Sequence, residues 1–169
     1  ISSNCGFMLQ YQDVVRDAVK IPVCLSSLSQ LPIIAETMEP SRPIGIVTAD
    51  SGNLSVEFLK RAGVMTENRV FIRGLQDERE FGTAVFGKFG EKGSLDLGSV
   101  EEETVRAARQ MVDEHPNMGA ILLECAMLPP YSKAVQEATG LPVYDFVTLI
   151  DYVQSGTHQK SSFDPGFSA

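Results

Sequence analysis

Short apolar runs alternate with amphipathic stretches along most of the chain, a pattern that predicts strands followed by helices. Ile44-Gly-Ile-Val-Thr48, Val70-Phe-Ile72, Ala120-Ile-Leu-Leu123 and Pro142-Val-Tyr-Asp145 read as strands, and the first and third are apolar enough for burial on both faces. Ile21-Pro-Val-Cys-Leu25 reads as one more short strand. Helical spacing covers Met8 to Val19, with Val14, Val15 and Ala18 turned to the core, and Leu28 to Met38. It returns over Leu54 to Ala62, closed by Gly63, and over Asp77 to Val85. Ser99-x-x-Glu102 reads as a capping box, with Glu101 to Glu103 at the positive end of a helix that runs to His115. Val105, Ala108 and Val112 mark that helix's inner face. Tyr131 to Thr139, closed by Gly140, and a last helix reaching Gln154 complete the set. The fold class is α/β, a parallel sheet flanked by helices.

The start of the chain repeats near its end. At a shift of 120 positions Ile1, Cys5, Tyr11, Val15, Ala18, Pro22 and Val23 fall on identical residues, seven matches in 23 ungapped positions. Two pseudo-symmetric α/β lobes follow from this, the first incomplete. Residues 1–40 with 141–154 make up the remainder of the first lobe, and 41–140 form the second. Residues 155–169 read as a disordered polar tail, and the glycine-rich stretch Gly87 to Gly98 as a surface loop. Ile1 opens the chain in mid-motif, so a further amino-terminal portion is expected.

Charge narrows the function. A net charge of −8 argues against nucleic acid and anionic membranes as partners. No apolar run approaches the roughly 20 residues of a membrane span. Three widely spaced cysteines fit neither a disulfide framework nor a zinc site, and a reducing cytoplasmic setting is expected.

Cys5 and Cys125 each stand where a strand ends and a helix begins, the place where open α/β sheets carry chemistry. Backbone N–H groups converge at such a turn and are expected to lower a thiol's pKa. Two facing cysteines of this kind can remove a proton from carbon on one side and return one on the other. Such chemistry calls for no metal and no cofactor. Cys24, on an apolar segment, reads as core. Glu124 reads either as a neighbour that tunes Cys125 or as a solvated or lobe-interface carboxylate. His115 at a helix end and His158 in the polar tail are weak catalytic candidates, which disfavours a Cys-His hydrolase.

Asn4-Cys-Gly-Phe7, Leu123-Glu-Cys-Ala-Met-Leu-Pro-Pro-Tyr131 and Thr139-Gly-Leu-Pro-Val-Tyr-Asp145 together resemble the aspartate/glutamate racemase superfamily, in its Cys-Gly-Phe branch. That superfamily includes hydantoin racemases, maleate isomerases and arylmalonate decarboxylases. The resemblance implies two similar lobes with the site between them, Cys5 and Cys125 as acid and base, and a small carboxylate substrate. It also implies substrate contacts from Asn4, Gly6, Phe7, Thr48, Ser51, Ala126 and Met127, and a possible homodimer. Ala126-Met127 and Gly6-Phe7 replace the hydroxyl and amide residues more usual in amino-acid racemases, which points to a less polar acid or a ring. The expected activity is a cofactor-independent racemase or epimerase, an isomerase. A maleate-isomerase-like or arylmalonate-decarboxylase-like enzyme and a non-enzymatic carboxylate-binding relative are the alternatives.

Overall fold

Strands β1 (Ile44–Thr48), β2 (Val70–Gly74), β3 (Ala120–Leu123) and β4 (Val143–Tyr144) form one parallel sheet in the order β2-β1-β3-β4. The computed structural model describes residues 1–63, 69–87 and 96–158. In the register of the sheet, Ile44 of β1 stands beside Val70 on one side and Ala120 on the other. Every residue of β1 and β3 is buried, as their unbroken apolar runs require. On one face Val47, Ile121 and Leu123 pack with Phe81, Ala108, Met111 and Val135. On the other, Ile46 and Leu122 pack with Leu28, Leu31, Ile34 and Leu59. Gly45 is dictated by this packing, because a Cβ there would lie 2.3 Å from Met111 Cε and 2.7 Å from Met118 Sδ.

The helices are α1 (Gln12–Ala18), α2 (Leu31–Glu36), α3 (Val56–Arg61), α4 (Arg79–Phe86), α5 (Leu97–Glu114), α6 (Ser132–Thr139) and α7 (Phe146–Thr157). Two are shorter than their periodicity predicts. A 3-10 turn, Gly6–Tyr11, occupies the start expected for α1, and another, Ser27–Gln30, precedes α2. The inward face expected for α1 is corrected: no residue of α1 is buried, and Val14 is 69% exposed. The sheet on that side supplies only a single parallel bridge between Ser2 and Cys24 among the described residues, so α1 has no apolar floor to cover. Cys24 is half-buried there rather than enclosed. An apolar cavity of 570 Å³ opens on the same side, bordered by Ile1, Ile21, Cys24, Ile150 and Val153. Neither Cys5 nor Cys125 lines it.

The chain ends of several elements also differ from the pattern. Val143 and Tyr144 pair with Ile121 and Leu122 and form the edge of the sheet, where the sequence pattern extends the strand from Pro142 to Asp145. Helix α7 passes Gln154 to reach Thr157; residues 159–169 of the expected tail, and 88–95 of the glycine-rich stretch, lie outside the described residues. No helix among the described residues is long and apolar enough to cross a membrane.

The expected capping box on α5 is replaced by another cap. Asp96 is the N-cap, accepting from the Gly98 N–H at 3.0 Å and from the Ser99 hydroxyl at 2.8 Å. Val100, Thr104, Ala107, Ala108 and Met111 face inward, while Val105 and Val112 are half-buried. Glu103 thus faces the core rather than its own helix terminus. Its two oxygens accept the Glu80 and Phe81 N–H groups, both at 2.9 Å, and so cap α4.

That assignment separates the three glutamates by stability. Glu103→Ala, which strips two donors of their acceptor, is expected to cost about 1–3 kcal/mol. Exposed Glu102→Ala is expected to change stability by less than about 0.5 kcal/mol. Urea unfolding of the two variants checks both.

Candidate active site

The sequence repeat extends to individual backbone hydrogen bonds. The Ile1 amino group donates to the Pro22 carbonyl at 2.7 Å, and the Ile121 N–H to the Pro142 carbonyl at 2.9 Å. The Ser2–Cys24 bridge matches the Leu122–Tyr144 pair at the same shift of 120. Met8 N–H donates to the Cys5 carbonyl, and Leu128 N–H to the Cys125 carbonyl, both at 3.0 Å. Each cysteine therefore begins the same turn, after the same strand position. Each turn leads through a 3-10 segment, Gly6–Tyr11 or Pro129–Tyr131, into α1 or α6.

Both thiols are half-buried and free. They stand close enough that charge on Cys5 acts to raise the pKa of Cys125. Cys5 is steadied by Ser3, whose hydroxyl lies 2.9 Å from the Cys5 carbonyl and accepts the Cys5 N–H at 3.2 Å. The expectation of an acidic thiol is corrected for Cys125. Burial pushes its pKa up to about 11, against the N–H of Met127, and charges on Glu124 and Cys5 push in the same direction. The reason is local: one aligned N–H ahead of a short 3-10 turn does not offset the loss of water.

Glu124 is the residue the sequence undervalues. It is 1% exposed, which excludes the solvated reading. Its N–H donates to the Val47 carbonyl at 2.8 Å, which extends the strand pairing one residue past β3. Oε2 accepts the Thr48 hydroxyl at 2.7 Å, while Oε1 has no hydrogen-bond partner among the described residues. Burial raises its pKa to about 7, opposed by the Thr48 hydrogen bond. Oε1 presses on Gly6, where a Cβ would lie only 1.7 Å away. The carboxyl thus spans from β1 to the Cys5 turn, directly beside Cys125. A charged residue continuing the apolar run 120–123 was the available signal, since the residue after a buried strand stays near the core.

The other expected site residues divide. Gly6 is buried against Glu124, and half-buried Phe7 packs edge-on to Phe58 with ring centroids 6.1 Å apart. Ala126 is half-buried beside Cys125, whereas Asn4 and Met127 are exposed. Thr48 is fully buried, and its hydroxyl donates to Glu124. Ser51 is held by Gln76, with its N–H donating to Oε1 and its hydroxyl accepting from Nε2, both at 3.2 Å. No group of three His, Cys, Asp or Glu side chains suited to a metal ion occurs among the described residues.

No protein-family model matches the chain. A dimethylsulfoniopropionate lyase from Durusdinium sp. clade D is 36% identical over 160 residues, covering 92% of this chain and 52% of that protein. Dimethylsulfoniopropionate lyase 7 from Emiliania huxleyi (strain CCMP1516) is 36% identical over 156 residues, covering 88% of this chain and 44% of its own. The chain spans about half the length of the curated relatives it matches. Among solved structures, an allantoin racemase from Pseudomonas fluorescens superimposes with a TM-score of 0.63 at 18% identity, over 86% of this chain and 57% of that one. A glutamate racemase from Bacillus anthracis gives 0.59 at 14% identity, over 92% of this chain and 57% of that one.

The racemase or epimerase expectation, and with it the isomerase class, is corrected by the first two relatives, which are named for a lyase. The physical reason is that a scaffold of this kind sets the position of the thiols without setting the fate of the substrate's carbanion. What holds is the architecture: the chain shares its α/β fold with the allantoin racemase and the glutamate racemase.

Proposed function

We propose that this site supports a lyase reaction on dimethylsulfoniopropionate or a close analogue, a small carboxylate bearing a sulfonium leaving group. One observation carries the reading. Two free, half-buried cysteines begin equivalent turns, in a chain whose curated relatives share that lyase name. In the elimination, the Cys125 thiolate removes a hydrogen from the carbon next to the carboxylate. The C–H electron pair becomes the carbon–carbon π bond, and the carbon–sulfur pair leaves with sulfur as dimethyl sulfide. The proton stays on the Cys125 sulfur, and acrylate is the second product. The step is redox-neutral. Cys5 lines the opposite side of the reacting carbon.

The substrate's own charge compensates for the reluctance of Cys125 to ionise. A thiol held near 11 is almost wholly protonated at neutral pH. A sulfonium cation within about 4–6 Å favours the thiolate, as a neighbouring lysine would. Partial enclosure strengthens that attraction relative to water. The Met127 N–H directed at Cys125 stabilises the anion once formed.

Release of dimethyl sulfide, followed by headspace gas chromatography with acrylate quantified by NMR, tests the reaction. Cys125→Ala is expected to lower turnover by about 100-fold or more, the usual contribution of a positioned base. Folded wild-type protein that releases no dimethyl sulfide above the uncatalysed background overturns the reading.

The raised thiol pKa also fixes a pH profile. The active form of the free protein is the thiolate, so kcat/KM is expected to climb about tenfold per pH unit and to reach no plateau below about pH 9. Because the bound sulfonium eases ionisation, kcat is expected to level off at lower pH than kcat/KM. Steady-state kinetics across the alkaline range check the order of the two.

A further inference from the structure

The elimination leaves one buried group without a task. Glu124 lies beside Cys125, holds Thr48 with Oε2, and presents an unpartnered Oε1 to the Gly6 backbone. The groups around it come from every element that meets there. Thr48 faces it from β1, Cys125 from its own turn, and Gly6 from the turn that carries Cys5. The Ser27 hydroxyl lies 3.2 Å from its main-chain carbonyl. No cation pairs with the carboxyl among the described residues, and Cys125 is the titratable group on which its charge acts.

An ionised carboxylate in this position would carry charge out of water with one oxygen lacking any donor, a strongly unfavourable arrangement. It would also set a negative charge against a thiol that must itself become negative. A neutral acid avoids both costs and keeps the Thr48 hydrogen bond. The contact with Gly6 is equally specific. Its counterpart in the repeat, Ala126, carries a Cβ, whereas a Cβ on Gly6 would overlap Glu124.

We propose that Glu124 is a positioning residue, anchored on Thr48 and pressed against Gly6, that locks the Cys5 turn to the Cys125 turn and fixes the separation of the two sulfurs. Its effect on turnover rests on the lyase reading of the same site; its contact with the Cys5 turn does not. Below its raised pKa of about 7 the acid is neutral; at higher pH, where Cys125 ionises, the same contacts with Thr48 and Gly6 still hold the two turns.

The test compares Glu124→Ala and Glu124→Gln in the full chain by three measurements. Dimethyl sulfide release is expected to fall about 100-fold in Glu124→Ala, mainly in kcat, as a displaced reacting group would cause. Glu124→Gln, which keeps shape and neutrality, is expected to recover most of that loss. The rate at which dibromobimane bridges Cys5 to Cys125 is expected to change in Glu124→Ala and to stay near wild type in Glu124→Gln. Infrared spectra at pH 6 are expected to show a carboxylic acid band in wild type that Glu124→Gln lacks.

Three outcomes overturn the proposal: an ionised Glu124 at pH 6, bridging as perturbed in Gln as in Ala, or bridging unchanged in both variants. A Gln variant that bridges normally but loses as much turnover as Ala also overturns it, because a titrating group would then be required. Should wild type release no dimethyl sulfide, the lyase reading falls, while bridging and the infrared band still decide the role of Glu124.

Discussion

Burial of β1 and β3 on both faces is the constraint from which the site follows. Strands enclosed in this way have no water for polar groups near their carboxyl ends. Thr48 ends β1 and Glu124 follows β3, and each is buried beyond the reach of solvent. Each therefore has to find its partner inside the protein, and the 2.7 Å hydrogen bond between them is the result. That bond satisfies the hydroxyl and one carboxyl oxygen. The remaining oxygen is left against Gly6, which ties the packing of the central strands to the turn that holds Cys5.

The internal repeat gives the same constraint a second consequence. Paired backbone hydrogen bonds place Cys5 and Cys125 at equivalent points of equivalent turns. Symmetry of the main chain does not carry over to the side chains. Exposed Asn4 corresponds to buried Glu124, and Gly6 to Ala126. The strand behind Cys125 belongs to a full sheet, whereas the ribbon behind Cys5 makes only the Ser2–Cys24 bridge among the described residues. One thiol consequently sits behind a buried carboxyl and is raised to about 11 by loss of water. The two cysteines share a geometry but not an environment.

This difference explains which features were legible in the sequence. Ala120 to Leu123 and Ile44 to Thr48 are apolar throughout, a pattern that full burial in a parallel sheet enforces, and both strands stand where the pattern puts them. Gly63 and Gly140 close their helices with φ of 84° and 68°, values that glycine adopts without strain. The partners of polar groups were not legible, because they depend on contacts across tens of residues. Glu103 looks like a helix-terminus charge until α4 is brought against it. Nothing in the sequence around Thr48 shows that its hydroxyl donates to Glu124, 76 positions away. Val14 and Ala18 have the spacing of an inner face, but spacing cannot reveal that almost no sheet lies beneath α1.

Reaction class is further still from what a motif can specify. Racemisation and elimination both begin when a base takes the hydrogen beside a carboxylate, so the same first thiol serves either. They part at the next step. A carbanion with no leaving group waits for a proton from the opposite face, which demands a second thiol placed to deliver it. A carbanion with a sulfonium on the adjacent carbon expels it, and the second thiol has no proton to deliver. Elimination therefore needs a single thiol as base, and the side chains around the two turns differ, with Glu124 and Ala126 beside Cys125 where Asn4 and Gly6 flank Cys5. The motif records where the sulfurs stand; the departure from symmetry at Glu124 and Gly6 bears on what they do.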